Sequence, residues 1–437
     1  LAQFFLLIRG GIQQIPLNIA SAYYSNNHVL NDLSVNSIYF FGHSYLLHNR
    51  TQIDDFMPSI APNESEKRIK KLFIYPKKHD QYIFKSSKPN IVIIVFEGWS
   101  SNAISCLSET QKSTPNFDKL ASEGLLFNNI FACGLTSEIG NSSIFSGYPA
   151  LPEISISMHP EKHRKIRTIN EELKSYSTNY LFGGDLKYEN IGSYFMDHNF
   201  QHVEDEKVFP SNLSRGKLNY FDSDLYALLL KKMNSTKEPF LHCAFTGSTH
   251  SPYDHPKSKN PRFKGEEADY MNSMVYADKC LGDFIANCKT KPWFKNTIFV
   301  FVSDHGHPSP GLTNPNSKVF FRIPFLIWGE ELKETYRGKI NDKIGSQADI
   351  AATLLYQVGG NLKKFPWSKD LLNPSCPEFA LLAINRGYGW VSKKGHYVYQ
   401  MDSKTELENS FLKEDQKEEI KNCNAFLTRF YKDFKDL

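Results

Sequence analysis

The stretch KPNIVIIVFEGWS, residues 88–100, decides the fold class of this chain. Its centre, residues 91–96, is an unbroken apolar run that is rich in β-branched side chains. Such a run predicts a strand buried on both faces, as in a parallel or mixed sheet covered by helices. Four later stretches have the same character: TNYLFGGD (178–185), EPFLHCAFTGSTH (238–250), NTIFVFVSDHGH (296–307) and RIPFLIWG (322–329).

Helical patterns alternate with these predicted strands, at residues 114–124, 269–289 and 346–359. The alternation predicts an α/β domain whose central, mostly parallel sheet is flanked by helices. Residues 387–400 indicate a small strand pair, and the charged tail from residue 404 indicates a surface helix. We therefore expect an N-terminal connector packed on the core (1–80), a main domain (81–385) and a small C-terminal strand and helix subdomain (386–437).

The composition excludes several classes of protein. The chain has 437 residues and a formal charge of only +4, which gives no case for nucleic-acid binding. Its seven cysteines are scattered and form no CxxC pair, so neither a zinc knuckle nor a dense disulfide framework is indicated.

The beginning of the chain, LAQFFLLIRGG (1–11), is a short apolar run that ends at Arg9. It is too short to span a bilayer, so it is either the tail of a truncated membrane helix or an ordinary packed segment. Further on, EKRIKKLFIYPKK (66–78) clusters positive charge. That cluster indicates a solvated face or a surface beside anionic lipid.

Three predicted strands end in acidic or imidazole side chains. Glu97 follows the first, His250 follows the third, and the adjacent pair Asp304 and His305 follows the fourth. A carboxylate directly after an apolar strand is costly unless it is paired or bound to a metal. Because ligands bind at the carboxyl ends of strands in such sheets, we expect these groups to converge on one cation. Carboxylate and imidazole donors suit Zn²⁺ or Mn²⁺.

The polar stretch CGLTSEIGNSSIFSGYP (133–149) supplies a further candidate, Thr136. A threonine hydroxyl is normally a poor nucleophile, but a divalent ion lowers the pKa of an oxygen acid bound to it. Each residue also has an ordinary structural explanation. Glu97 alone fits a surface or capping residue, Asp304 fits a turn, and Thr136 fits a helix cap.

These motifs, in this order, resemble the sulfatase-like branch of the alkaline phosphatase superfamily. Within that branch, the chain is most similar to the lipoteichoic acid synthase and phosphoglycerol transferase family. The resemblance runs from about residue 90 to residue 359, and five ordered segments carry it. They are NIVIIVFEGWSSNAI (90–104), STPNFDKLASEGLLFNNIFA (113–132), TSEIGNSSIFSGYPALP (136–152), YADKCLGDFI with NTIFVFVSDHGH (276–307), and RIPFLIW with SQADIAATLL (322–355).

The resemblance implies an alkaline-phosphatase-like sandwich fold and a site with one divalent ion. That ion would be Mn²⁺ or Zn²⁺, with Mg²⁺ also possible, and its ligands would be Glu97, Thr136, Asp304 and His305. Thr136 would also be the catalytic nucleophile. His250 matches a substrate-binding histidine of the family and is a second catalytic candidate.

Two further residues are candidate substrate ligands. His307 fits a substrate or supporting role, or else a hydrogen-bonded loop histidine. Asp185 lies in residues 182–195, where the family carries His, Trp and Arg for glycerol phosphate and this chain has neither Arg nor Trp. Asp185 is therefore either a head-group ligand or a turn residue.

The nucleophile segment differs from that of true sulfatases, which place Pro two residues and Arg four residues after a Cys or Ser that becomes formylglycine. Here Glu138 and Gly140 follow Thr136 at those positions. The resemblance therefore implies chemistry on threonine rather than on formylglycine.

The expected activity is transfer of a phosphoglycerol or similar head group from a phospholipid to an acceptor hydroxyl of a glycan or lipid, through a phospho-threonine. Alternatives are a phosphoethanolamine transferase, a phosphodiesterase or sulfuric ester hydrolase, and a silent ectodomain that binds lipid or cell-wall polymer. The expected location is the cell membrane, with the catalytic domain facing outward, periplasmic or extracellular, from a truncated N-terminal anchor.

Overall fold

The computed structural model describes residues 6, 9–12, 16–25, 27–50, 53–54, 57–58, 60–108 and 112–437. Its centre is a sheet of eight strands. The strands are β1 (Asn90–Phe96), β2 (Leu125–Phe131), β3 (Ser177–Phe182), β4 (His202–Glu204), β5 (Phe240–Phe245), β6 (Thr297–Ser303), β7 (Arg322–Trp328) and β8 (Lys339–Ser346).

The strand order across this sheet is β4-β3-β5-β1-β6-β7-β2-β8. All neighbouring strands are parallel except at β7, which is antiparallel to both β6 and β2. The predicted α/β class with a mostly parallel sheet is confirmed. The five predicted strands correspond to β1, β3, β5, β6 and β7.

The side chains of β1 explain why its apolar run is continuous. Ile91, Ile93 and Val95 point into one hydrophobic core, whereas Val92 and Ile94 point into the other. The strand is buried on both faces because helices cover both sides of the sheet, so residues 91–96 are all apolar.

The helices are α1 (His28–Ser34), α2 (Ser37–Arg50), α3 (Pro62–Phe73), α4 (Ser105–Ser108), α5 (Pro115–Glu123), α6 (Ser137–Ser146), α7 (Pro160–His163), α8 (Ile169–Glu172), α9 (Ile191–Asp197), α10 (Asp222–Ser235), α11 (Ala268–Cys288), α12 (Lys318–Phe321), α13 (Asp349–Gln357) and α14 (Lys413–Asp436). Helices α6, α9 and α13 cover one face of the sheet. Helices α5, α10 and α11 cover the other.

A second sheet of four antiparallel strands lies near the C-terminus, in the order β12-β11-β10-β9. Its strands are β9 (Phe379–Ile384), β10 (Gly387–Ser392), β11 (Gly395–Gln400) and β12 (Thr405–Asn409). The expected strand pair is the central hairpin of this larger sheet. Its first strand precedes residue 386, where we expected the C-terminal subdomain to begin.

The N-terminal segment contacts the C-terminal helix. Helix α3 packs against α14, where the Ser65 hydroxyl donates to the Ala425 carbonyl (3.1 Å) and Arg68 pairs with Glu418 (2.9 Å). Among the helices of the described residues, none is both long and apolar enough to cross a membrane. Residues 1–5, 7 and 8, which hold most of the expected anchor, lie outside the described residues.

Candidate active site

Glu97 and Asp304 lie side by side because they follow two adjacent parallel strands. Phe96 of β1 is in register with Ser303 of β6, so the next residue of each strand leaves the sheet at the same edge. Asp304 Oδ1 accepts hydrogen bonds from the backbone N–H groups of Gly98 (2.8 Å) and His305 (2.7 Å). Its other oxygen, Oδ2, is buried and has no hydrogen-bond partner.

His305 turns one ring nitrogen towards these carboxylates. Its Nδ1 lies 2.8 Å from the Gly306 carbonyl, an acceptor, so Nδ1 carries the proton. The other ring nitrogen, Nε2, lies 3.6 Å from Glu97 Oε1 and 3.5 Å from Asp304 Oδ2. The ligand atoms of the three residues all lie within 4.8 Å of one another.

This arrangement fits a divalent cation. Burial and the charge of Asp304 raise the pKa of Glu97 well above its ordinary value, because two carboxylates share one dry pocket. A cation between them would offset that repulsion and would occupy the unpartnered Asp304 oxygen. Separations of 3.5 and 3.6 Å are close to the roughly 3.4 Å expected between ligands that share one ion with bonds of about 2.1 Å. Glu97, Asp304 and His305 could therefore hold one metal ion.

The start of helix α6 brings a hydroxyl to this group, and that hydroxyl belongs to Ser137. Ser137 Oγ lies 3.2 Å from Glu97 Oε2 and 3.4 Å from His305 Nε2. The Thr136 hydroxyl instead donates to Glu138 Oε1 at 2.8 Å. The assignment of Thr136 as metal ligand and nucleophile stays a prediction.

Sequence reasoning did not single out Ser137, although it is the next residue along the chain. Residues 136–138 offer two adjacent hydroxyls, and only the angle at which the helix begins determines which of them faces the carboxylates. Nothing in the amino-acid sequence of this stretch indicates that angle.

A buried glutamine holds the site's two loops together. Gln347 donates from Nε2 to the carbonyls of Ser303 (2.8 Å) and Asp304 (2.7 Å). Its Oε1 accepts from the Cys133 N–H at 3.2 Å, in the loop that leads into α6. The end of β6 and the approach to α6 are therefore fixed by one side chain that sequence reasoning missed.

Two cavities lie on either side of the α6 N-terminus. One, of about 120 Å³, is lined by Glu97, Ser137, Asp185 and His250 among others. The other, of about 260 Å³, is lined by Thr136 and its neighbours in α6. The first cavity is the natural place for a substrate group beside the metal ligands.

Asp185 and His250 both border the first cavity, as their predicted substrate roles require. Asp185 Oδ1 also accepts from the Lys187 N–H at 3.0 Å, so it forms a turn as well as lining the cavity. His250 Nδ1 lies 2.6 Å from the Ser251 carbonyl, which fixes the ring at the rim. Their substrate contacts stay predictions.

His307 is held by contacts within the protein. Its Nδ1 accepts from the Ser309 N–H at 3.0 Å, and its Nε2 lies 3.0 Å from the Tyr253 hydroxyl. The ring stacks on Tyr270 with centroids 3.7 Å apart. Burial, reinforced by the nearby His305, lowers the pKa of His307 to about 4. These contacts fit the hydrogen-bonded loop histidine weighed above, while the substrate role stays a prediction.

Two further carboxylates near the site were not anticipated. Burial, followed by the charge of Glu138, raises the pKa of Glu189 to about 10. The Oε2 atoms of Glu138 and Glu189 are both buried without a hydrogen-bond partner. Glu189 lies in residues 182–195, the segment in which the sequence departs from the family's pattern.

Comparisons with known proteins identify distant relatives of this chain. The chain is 23% identical over 300 residues to phosphoglycerol transferase I of Xanthomonas campestris pv. campestris (strain B100), covering 63% of this chain and 42% of that protein. It is 22% identical over 452 aligned positions to the lipoteichoic acid synthase of Staphylococcus aureus (strain USA300), covering 90% and 69% respectively. The chain thus spans less than half the length of the first of these relatives.

A solved structure shares the fold. A protein of the alkaline phosphatase superfamily from Vibrio parahaemolyticus superposes with a TM-score of 0.74 at 22% identity, over 86% of this chain and 97% of that one. The sulfatase family profile matches residues 89–360, which include the whole candidate site. The expected resemblance is confirmed, and the chain belongs to the sulfatase family.

Proposed function

We propose that this protein is a metal-dependent phosphotransferase that moves a phosphoglycerol or similar head group from a phospholipid to an acceptor hydroxyl. The observation that carries the proposal is the Ser137 hydroxyl, placed against Glu97 and His305 at the start of a helix. The names of the two relatives, a phosphoglycerol transferase and a lipoteichoic acid synthase, support phosphoester transfer.

Glu97, Asp304 and His305 would hold the divalent ion, and Thr136 stays a predicted fourth ligand. When bound, the ion supplies positive charge that lowers the pKa of the attacking alcohol and offsets charge on the phosphoryl oxygens. The remaining roles fall to the side chains and to helix α6. The N-terminal N–H groups and dipole of this helix favour an anion beside Ser137.

We propose Ser137 as the attacking residue, with Thr136 as the alternative. Ser137 Oγ would form a bond to phosphorus while the bond from phosphorus to the diacylglycerol oxygen breaks. The serine proton would pass to Glu97 Oε2, its hydrogen-bond acceptor. His250, across the same cavity, would give a proton to the leaving oxygen. In the second step an acceptor alcohol would attack the phospho-serine, with the two proton transfers reversed.

Hydrolysis of a sulfuric ester is the second candidate, favoured by the family match itself. The residues after the nucleophile argue against the formylglycine route. Counted from Ser137, Ile139 and Asn141 stand where sulfatases carry Pro and Arg. A sulfatase activity would therefore need an unmodified alcohol, and we rank it below phosphotransfer.

We further propose that the enzyme acts at the outer face of the cell membrane, where its lipid donor is found, and that the acceptor is a glycan or a lipid. In helix α3, Arg68 and Lys71 pair with Glu418 and Lys70 pairs with Glu66, so the positive charge of this helix is largely neutralised within the protein.

The test is incubation of the purified chain with vesicles of phosphatidylglycerol or phosphatidylethanolamine and a series of Mn²⁺, Zn²⁺ and Mg²⁺. Mass spectrometry of the peptide that contains residues 133–149 then identifies the covalent intermediate. We expect release of diacylglycerol and a phosphoglycerol or phosphoethanolamine ester localised to Ser137. The proposal fails if neither lipid is cleaved with any ion, or if the peptide carries formylglycine.

A further inference from the structure

We propose that Glu138 and Glu189 form a second cation subsite beside the metal ligands, which binds either a second divalent ion or the primary ammonium group of a substrate. The metal part of this inference is independent of the proposed function. The ammonium part rests on it, since it narrows the head group to one that carries an amine.

The two carboxylates come from different segments that meet at the site. Glu138 lies in the first turn of α6, directly after Ser137. Glu189 lies in the short turn Tyr188–Asn190, which packs against α6. The subsite is therefore adjacent to the candidate nucleophile on one side and to the substrate cavity, bordered by Tyr188, on the other.

The hydrogen bonding of Glu138 is incomplete. Its Oε1 accepts from the Thr136 hydroxyl at 2.8 Å, but its Oε2 has no partner although the residue is only 9% exposed. Glu189 Oε2 is likewise buried and unpartnered. A buried carboxylate oxygen without a donor is costly, and two of them are explained by a ligand that neutralises both.

The electrostatics agree with this arrangement. The pKa of Glu189 is raised first by burial and then by the charge of Glu138, so the two carboxyl groups lie close enough to interact. The charge of Glu189 in turn contributes to the raised pKa of Glu97, so Glu189 interacts electrostatically with the candidate metal ligands.

The backbone at Glu189 is consistent with a positioned ligand. Glu189 and Asn190 both have positive φ values, 50° and 57°, in the left-handed region that non-glycine residues rarely adopt. Such conformations cost on the order of 1 kcal/mol or more each, so the surrounding structure must hold this turn in place.

The two candidate ligands of the subsite, a divalent ion and an ammonium group, would bind the carboxylates in different ways. A divalent ion would take carboxylate oxygens from both residues and would make the site binuclear, an arrangement that clamps both oxygens of a phosphoryl transfer. An ammonium group would donate hydrogen bonds to the same oxygens and would select an ethanolamine over a glycerol head group.

Binding measurements on the full chain separate these sources. Equilibrium dialysis with Mn²⁺ gives the number of ions per chain, and calorimetry with phosphoethanolamine and glycerol phosphate in the presence of Mn²⁺ gives head-group affinity. The variants are Glu138→Gln and Glu189→Gln. Glu153→Gln is the matched control, because Glu153 lines the second cavity together with Glu138 but its carboxylate accepts from the Arg386 N–H.

Two results support the subsite. In the first, the wild type binds two Mn²⁺ ions and each test variant binds one. In the second, the wild type binds one ion, and each test variant weakens phosphoethanolamine at least tenfold while glycerol phosphate is unaffected. The subsite is overturned if the wild type binds one ion and both head groups bind the variants as they bind the wild type.

The failure of the subsite is distinguishable from failure of the proposed function. In the former case the wild type still cleaves phospholipid, while in the latter it cleaves none even if the ion count is two. Thermal unfolding in EDTA serves as the folding check. We expect both test variants to melt at or above the wild-type temperature, because each places a neutral amide, which can donate a hydrogen bond, beside the remaining carboxyl group.

Discussion

Gly140 packs directly against the backbone of Asp304. A Cβ atom at Gly140 would lie 2.3 Å from the Asp304 carbonyl oxygen and 2.7 Å from its Cα atom, closer than any real contact. Helix α6 can approach the candidate metal ligands only because this position carries no side chain. The position of the Ser137 hydroxyl therefore depends on a glycine one turn further along the helix.

Gly140→Ala should accordingly damage both stability and activity. We expect a loss of about 2–4 kcal/mol in the free energy of unfolding, because the backbone of Asp304 cannot move aside cheaply. We also expect turnover to fall at least a hundredfold as Ser137 is displaced. The control is Gly42→Ala in α2, where a Cβ meets nothing within 4 Å. Denaturant unfolding that gives equal values for the two variants would contradict the prediction.

The two hydroxyls at the start of α6 should differ sharply when removed. Ser137→Ala should lower kcat/KM by about 10³-fold or more, since the attacking oxygen is lost. Thr136→Val, which removes the bond to Glu138 but keeps the side-chain volume, should cost less than about tenfold. Steady-state release of diacylglycerol measures both. If the Thr136→Val variant released no diacylglycerol while Ser137→Ala remained active, Thr136 would be the nucleophile.

Glu97→Gln should separate metal binding from folding. Without an ion, the change relieves repulsion with Asp304, so the variant should melt at a higher temperature than the wild type in EDTA. With Mn²⁺ at about 100 times its dissociation constant, the wild type should gain about 2.7 kcal/mol, and the variant much less. Thermal melts with and without Mn²⁺ provide the comparison. Equal stabilisation of both proteins by Mn²⁺ would exclude Glu97 as a ligand.

The acid sensitivity of the fold should depend in part on His242. This residue is buried in β5 away from the metal ligands, and burial, with a contribution from Lys232, lowers its pKa to about 3. Between pH 6.5 and 3 the His242 side chain is protonated in the unfolded chain but not in the folded chain. The free energy of unfolding therefore decreases as the pH falls through this window. Each pH unit well inside the window costs about 1.4 kcal/mol.

His242→Leu tests this linkage, because leucine fills the site without titrating. Its hydrogen-bond partner, the Thr236 hydroxyl, keeps a second bond to the Lys232 carbonyl. We expect the variant's free energy of unfolding to fall less steeply than that of the wild type between pH 6.5 and 4.5. Parallel slopes in urea titrations across that range would show that the proton uptake lies elsewhere.

Much of the fold could be predicted because continuous apolar runs mark strands that are buried on both faces. The same feature hid the direction of β7, since an antiparallel strand in the middle of a covered sheet is as apolar as its parallel neighbours. The C-terminal sheet was only half recognised. Its strands β9 and β12 lie outside the turn-rich stretch that indicated the central hairpin.

The candidate site could be predicted only as far as strand ends determine it. Glu97, Asp304 and His305 follow adjacent strands, so sheet topology alone brings them together. The placement of Ser137 depends on the angle at which helix α6 begins, and the placement of Glu189 depends on a turn with positive φ. No periodicity in the sequence indicates either feature. Gln347 acts through hydrogen bonds to backbone groups, and the identity of those partners is decided by tertiary packing.

The N-terminus of α6 lies between the two cavities described above, with Ser137 lining one and Thr136 lining the other. Thr136 is the extended N-cap residue and Ser137 is the first residue of the helix, so the point at which the helix begins determines which alcohol meets the carboxylates. The reactive residue is thus set by the start of the helix, while the carboxylates at the strand ends remain in place.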